Sequence, residues 1–248
     1  MNNIFFADSD VGFKILQWVF SEYKQDVSCV VVTTTENDIY IFAQKNRIRT
    51  FLYSDIINNN IKNIDEFDYG FLIWWPYILP EHILDIASRG IINTHPSYLP
   101  YNRGKNYNFW AIVENAPFGV SLHFITKDID SGDIIARNKL DYDWTDTGES
   151  LYYMAKSEMI KLFKEQYPLI RENKFTPITQ DISHGSFHFG FEMHNASNIN
   201  LDECYKARDL INLIRARTFS GFPACTFEDS EKKYEIRTII TEKRDEST

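Results

Sequence analysis

Hydrophobic and polar positions along the first ninety-five residues fall into two alternating rhythms. Residues 3–6, 27–33, 69–74 and 91–93 are short, nearly continuous apolar runs; Val27 to Thr33 is rich in β-branched side chains. Such runs suit strands buried on both faces. Between the first two lies helical spacing, with Val11, Ile15, Leu16, Val19 and Phe20 on one face and Asp8-Ser9-Asp10 offering capping oxygens in front. A more polar helical stretch occupies residues 36–45, and Pro80 opens a short helix over 80–88. This alternation predicts the α/β class, with a Rossmann-like, mostly parallel sheet and helices on both faces. Ligands of such sheets bind beyond the carboxyl ends of the strands.

The second half changes character. Residues 107–115 read as a helix, and 119–125 and 134–140 as strands on either side of the turn-forming Asp128-Ile129-Asp130-Ser131-Gly132. Asp146-Thr147 is placed to cap an amphipathic helix running to Tyr167. Pro168, Pro177 and the polar stretch 180–185 then suggest a boundary. The expected organisation is a main core over 1–180 and a small α+β appendage over 181–248. The appendage is short for an independent domain, so it is expected to pack on the core or on a second subunit. Within it, 201–218 reads as a helix and 224–241 as two strands about Asp229-Ser230-Glu231-Lys232, with a frayed tail from Arg244.

Composition narrows the function classes. A net charge of −9 argues against a general nucleic-acid binder, which carries a basic stripe. Cys29, Cys204 and Cys225 are too few and scattered for a disulfide framework or a zinc site, and read as buried free thiols. His184, His188 and His194 lack metal-ligand spacing with acidic partners and read as surface or loop residues, so no metal is expected. No apolar run approaches the ~20 residues of a membrane span. The start of the chain lacks the basic and apolar regions of a leader. The expected location is cytoplasmic. The first strand is not followed by G-x-G-x-x-G, which disfavours the usual dinucleotide turn.

The chemistry concentrates in Asn93-Thr94-His95-Pro96-Ser97-Tyr98-Leu99-Pro100 and in Asp130-Ser131-Gly132. Acyl transfer to an amine needs a group that takes the amine proton, a donor for the tetrahedral oxyanion, and a route for a proton to the leaving nitrogen. Imidazole exchanges protons near neutrality. A side-chain amide can donate to an oxyanion. A carboxylate can hold the imidazole or relay a proton. Asn93, His95 and Asp130 supply one of each, although singly each could be an ordinary strand-end or loop residue. His123, inside a strand pattern, reads as structural.

These segments, with Arg103-Gly104, Gly119-Val120-Ser121-Leu122-His123-Phe124 and Asp130 to Ile135, resemble the N10-formyltetrahydrofolate-dependent formyltransferase family over residues 65 to 140. The resemblance implies catalytic roles for Asn93, His95 and Asp130, and N10-formyltetrahydrofolate as one-carbon donor. Trp74 to Pro80, Tyr101 to Asn106 and Arg215 to Phe219 are similar to the sugar-nucleotide N-formyltransferases. That likeness implies a dTDP-linked 4-amino-4,6-dideoxyglucose acceptor, a homodimer built through residues 181–248, and a product used in O-antigen or other surface polysaccharide.

Trp75, Tyr77, Ile78 and Leu79 are the expected folate-side rim, with core packing the competing role for Trp75. Asp128 could face the pterin or simply form the turn. Ser97, Arg103, Lys105, Asn106, Tyr107 and Asn108 are expected on the acceptor side, the two cations suiting a pyrophosphate. Arg215 and Arg217 are two apart on a helix and diverge, so one of them is expected to face the nucleotide. A 3-amino sugar nucleotide, glycinamide ribonucleotide, and a non-catalytic folate or nucleotide-sugar binding protein remain the alternatives.

Overall fold

The apolar runs do become the centre of a sheet. In the computed structural model, which describes residues 1–58 and 67–243, every residue of β1 (Asn3–Ala7) is buried. The chain crosses through α1 (Ser9–Glu22) to β2 (Val27–Val32), then through α2 (Asp38–Lys45) to β3 (Arg49–Leu52) and on into α3 (Tyr53–Ile57). It returns to the other side of β1 as β4 (Gly70–Ile73). A 3-10 turn (Glu81–Ile86) then leads to β5 (Ile91–His95). All these strands pair in parallel. The chain thus winds outward from β1 in both directions, and β1/β4 is the topological switch.

Amphipathic spacing places Val11, Ile15, Leu16 and Val19 of α1 in the core. Asp8 precedes α1, but its carboxylate accepts from Thr33 Oγ1 at 3.0 Å and makes no capping bond to the helix. Asn37 does cap α2, accepting from Tyr40 N at 2.8 Å.

Two later strands complete the sheet of seven found among the described residues. They are β7 (Phe118–Phe124) and β8 (Ile134–Leu140), and the order is β3-β2-β1-β4-β5-β7-β8. The two-residue β6 (Arg103–Gly104) and α4 (Tyr107–Val113) precede them in the chain. β7 lies antiparallel to β5, so the sheet is mostly parallel with its polarity broken beside β5. The Rossmann-like α/β expectation holds in this form.

The long α5 (Gly148–Arg171) is capped reciprocally: Thr147 N donates to Ser150 Oγ and Ser150 N to Thr147 Oγ1. It runs through Pro168 instead of ending at Tyr167. The last turn beyond the proline outweighs the loss of one backbone donor, because Ile170 is fully buried and Arg171 pairs with Asp26. Asp26 also accepts from the Tyr167 hydroxyl at 3.0 Å, and Asn3 donates to that hydroxyl at 3.2 Å. Burial pushes the Asp26 carboxyl up, but the hydrogen bonds from Arg171, the Met1 amino group and Tyr167 outweigh it and hold the carboxyl below its ordinary value.

Two units of the chain are each compact. The first comprises Met1–His95, Ser121–Arg137 and Glu158–Gln180; the second comprises Pro96–Val120, Asn138–Ser157 and the chain from Asp181 onward. In the second, β6 pairs with β9 (Phe187–His188), α6 (Gly190–Ala196) follows, and α4 packs on α7 (Ala207–Arg217). A hairpin of β10 (Cys225–Asp229) and β11 (Lys232–Ile236) turns at Ser230 and Glu231. Both have positive φ, 49° and 64°, as a tight two-residue hairpin requires.

The helix expected over 201–218 begins later, at Ala207. Cys29 and Cys225 are buried, but Cys204 is exposed, against the expectation of three buried thiols. The tail from Arg244 lies outside the described residues. Among the described residues no helix is long and apolar enough to cross a membrane.

Candidate active site

Residues two apart on a strand share a face. Asn93 and His95, near the carboxyl end of β5, therefore project to the same side. The antiparallel register sets His123 of β7 opposite Asn93, and Ser121 opposite His95. Thr94 turns the other way: its hydroxyl donates to Leu72 O at 3.0 Å and accepts from Trp74 N at 2.8 Å. That pair of bonds ties the ends of β4 and β5 together and holds Trp74 at a φ of 52°.

Asp130 arrives from the loop between β7 and β8. Its Oδ2 lies 3.4 Å from His95 Nδ1, and its Oδ1 lies 3.3 Å from Asn93 Nδ2 and 3.5 Å from His123 Nε2. His95 and His123 are buried and the Asp130 side chain nearly so. The carboxylate facing Nδ1 of His95 favours the tautomer with the proton on that atom, which leaves Nε2 as the basic nitrogen. The amide, imidazole and carboxylate read from the sequence are brought together within the first unit.

The loop is held in an uncommon conformation. Asp130 has a φ of 50°. Two residues on, a Cβ at Gly132 would stand 2.0 Å from Phe124 O, so only glycine fits there. Gln180 clamps the segment: its Nε2 donates to Asp130 O at 3.1 Å and to Gly132 O at 2.6 Å. The Ser131 hydroxyl donates to Asp128 O at 2.9 Å. The Asp128 side chain is exposed, and its backbone serves the turn. Sequence reasoning placed Gln180 in a boundary segment and His123 in the structural scaffold. No local pattern marks Gln180, fifty positions from its partner. The cross-strand register of His123 with Asn93 was the signal available for the histidine.

Beside this centre, in the same unit, Tyr77 stacks on Tyr53 with ring centroids 5.3 Å apart, and Trp75 meets both rings edge-on. Tyr77 and Ile78 are exposed. Leu79 is buried in the core and Trp75 packs against that core, so the Leu79 side chain is turned inward. The Trp75 indole N–H is buried and without a hydrogen-bond partner among the described residues.

The residues expected to meet the acceptor lie in the second unit, and several are tied into its scaffold. Asn106 Nδ2 donates to Gly190 O, and Asn108 Nδ2 to Gly148 O. Arg215 is buried and donates to the Asp143 and Asp146 carbonyls and to Asn212 Oδ1. Burial holds its guanidinium below the ordinary arginine value. Arg217 differs from it: Nη1 points at Met193 Sδ, and Nε has no hydrogen-bond partner among the described residues. Ser97 is buried, burial raises the Tyr107 hydroxyl well above its ordinary value, Arg103 lies over the Phe187 ring, and Lys105 is exposed. Among the described residues no group of three or more His, Cys, Asp or Glu could hold a metal ion.

The doubly wound sheet ends in an amide, an imidazole and a carboxylate, groups that acyl transfer to an amine can use. The sequence profile described as formyl transferase matches residues 18–165, and one described as the N-formyltransferase dimerization C-terminal domain matches 192–242. The chain belongs to the formyl transferase family. It is 32% identical over 182 residues to a bifunctional polymyxin resistance protein ArnA of Wigglesworthia glossinidia brevipalpis, covering 70% of this chain and 27% of that one. The chain spans 27% and 58% of the lengths of the first two curated relatives it matches.

Among solved structures, a 4-N formyltransferase from Francisella tularensis superposes with a TM-score of 0.83 at 23% identity, covering 97% of this chain and 98% of that one. The N-formyltransferase of Helicobacter canadensis, in complex with folinic acid and dTDP-3-aminofucose, gives a TM-score of 0.71 at 21% identity, over 94% and 86% of the two chains. At these identities the likeness shows the fold.

Proposed function

We propose that this protein transfers a formyl group from N10-formyltetrahydrofolate to the 4-amino group of dTDP-4-amino-4,6-dideoxyglucose. The observation that carries the reading is the convergence of Asn93, His95 and Asp130, with Asp130 Oδ2 3.4 Å from His95 Nδ1. In the proposed reaction the sugar nitrogen attacks the formyl carbon and a new N–C bond forms. His95 takes the amine proton, Asn93 donates a hydrogen bond to the oxyanion, and Asp130 holds the imidazole. The bond from the formyl carbon to N10 then breaks, and the proton ends on N10. Folate supplies the activated formyl group; the protein positions and moves protons.

The exposed Tyr77 ring and Ile78, with Trp75 behind and Leu79 through its backbone, are the assigned donor rim, and the Asp128 loop is its neighbour in sequence. Arg103 and Lys105 are the assigned pyrophosphate contacts, with Ser97, Asn106, Tyr107 and Asn108 on the same segment and Arg217 favoured over the inward-turned Arg215. The dimerization profile over residues 192–242 supports a homodimer. The proposed setting is cytoplasmic synthesis of surface polysaccharide.

A second reading, a 3-amino sugar nucleotide as acceptor, is favoured by the dTDP-3-aminofucose bound in the Helicobacter relative. Turnover measured with N10-formyltetrahydrofolate and a panel of dTDP-linked 4-amino sugars, dTDP-linked 3-amino sugars and glycinamide ribonucleotide separates them. The 4-amino sugar is expected to give the highest kcat/KM. Preference for a 3-amino sugar or for glycinamide ribonucleotide overturns the acceptor assignment.

A further inference from the structure

We propose that His123 is a positioning residue that fixes the orientation of the Asn93 amide. The proton on His123 is set first. Its Nδ1 lies 2.8 Å from Phe124 O, an atom that can only accept, so Nδ1 carries the hydrogen. On the other side of the ring, Nε2 lies 3.2 Å from Asn93 Nδ2. The Asn93 atom there must be the amide nitrogen, because it also faces Asp130 Oδ1, a carboxylate oxygen, at 3.3 Å. A nitrogen that donates to Nε2 requires Nε2 to present its lone pair. Backbone, imidazole, amide and carboxylate therefore form a chain with one consistent set of hydrogen positions.

The distances add a second constraint. Asn93 Nδ2, His123 Nε2 and Asp130 Oδ1 form a nearly equilateral triangle with sides of 3.2, 3.3 and 3.5 Å. The two acceptors subtend roughly 65° at Nδ2, about half the angle between the N–H bonds of a planar amide. The two acceptors are close enough together for one N–H to be shared between them, and in the proposed orientation the other N–H is directed away. That second N–H is the one required for an oxyanion in the formyl-transfer reading, on which this inference rests. Asp130 alone leaves the amide one partner; His123, itself pinned by the Phe124 carbonyl and fully buried, supplies the second.

Two experiments on the intact protein test this. Long-range proton–nitrogen NMR of 15N-histidine protein, with the His123 signal assigned by its loss in His123→Gln, is expected to show a proton on Nδ1 and none on Nε2. A proton on Nε2 overturns the proposal, whether or not the protein turns over. In kinetics, His123→Leu removes the acceptor at similar volume and is expected to lower kcat about 100-fold with both KM values within about threefold. His123→Gln, whose Oε1 can accept from Asn93, should recover to within about tenfold of the unaltered protein. A folded His123→Leu with kcat within twofold overturns the proposal; if that variant does not fold, the tautomer measurement decides. Absence of formyl transfer by the unaltered protein would instead overturn the formyl-transfer reading, and the tautomer would still report on His123.

Discussion

Two imidazole–carboxylate clusters, one in each unit, look alike in their residue types and differ in what they leave available. In the second unit, His188 Nε2 lies 2.7 Å from Glu114 Oε1 and Nδ1 lies 2.9 Å from Glu192 Oε2, while the ring stacks on Trp110 at 3.8 Å. Glu114 also accepts from Asn102 and Ser186. Both nitrogens are spent on carboxylates, and both ends of Glu114 are used. In the first unit, Asp130 sits on a positive-φ loop and spreads over His95, His123 and Asn93 at 3.3 to 3.5 Å. Longer, shared contacts on a conformationally uncommon loop fit the proton-moving role proposed for this cluster. The short, saturated contacts of His188 are those of a scaffold.

Substitutions can break this contrast. The largest effect is expected at the first cluster: His95→Ala and Asp130→Ala should each lower kcat by about 10³–10⁴-fold in a formyl-transfer assay while the thermal midpoint stays close to that of the parent. Near-normal turnover in either would place the chemistry elsewhere.

Next comes Asp26, a buried carboxylate of the first unit outside the proposed catalytic cluster. Asp26→Asn should destabilise by about 3 kcal/mol at neutral pH in denaturant unfolding. Because the folded carboxyl is held below its ordinary value, this stabilisation is complete above about pH 4 and fades as pH falls through the folded value. The gap between the two proteins should therefore narrow on acidification; a gap that widens contradicts the role given to Arg171 and Tyr167.

Gln180→Ala releases the Asp130 loop without altering the side chains of the proposed catalytic groups. It should lower kcat about tenfold, with stability changed by about 1 kcal/mol. A loss confined to stability would make Gln180 a fold residue only. The smallest effect on turnover is expected from His188→Leu: a loss of about 1–3 kcal/mol with kcat within about threefold. A drop in kcat comparable to that of His95→Ala would erase the contrast between the clusters.

How much of this was readable in advance depends on local physics. β1 and β2 were visible because strands buried on both faces need continuous apolar runs. β3 was not, since Arg49 and Thr50 at the sheet edge are exposed and half-buried and lack that signature. β6 and β9, two residues each, carry no period at all. Asn93 and His95 were legible as a pair at the end of a strand, although the apolar run stopped at Asn93 and β5 continues to His95. Asp130 was legible as a residue type, but the turn that aims it depends on Gln180 and on a close approach at Gly132, both set by the tertiary fold. The end of α5 was misplaced because Pro168 weighs heavily in sequence, whereas Ile170 and Arg171 act only once Asp26 and the core are beside them.

In the proposed reaction Asn93, His95 and Asp130 transfer a formyl group from folate to a sugar amine. The most direct test is mass spectrometry of dTDP-4-amino-4,6-dideoxyglucose after incubation with N10-formyltetrahydrofolate and either the unaltered protein or His95→Ala. An acceptor heavier by one formyl group is expected with the former and almost none with the latter. No product from the unaltered protein, or equal product from both, would contradict it.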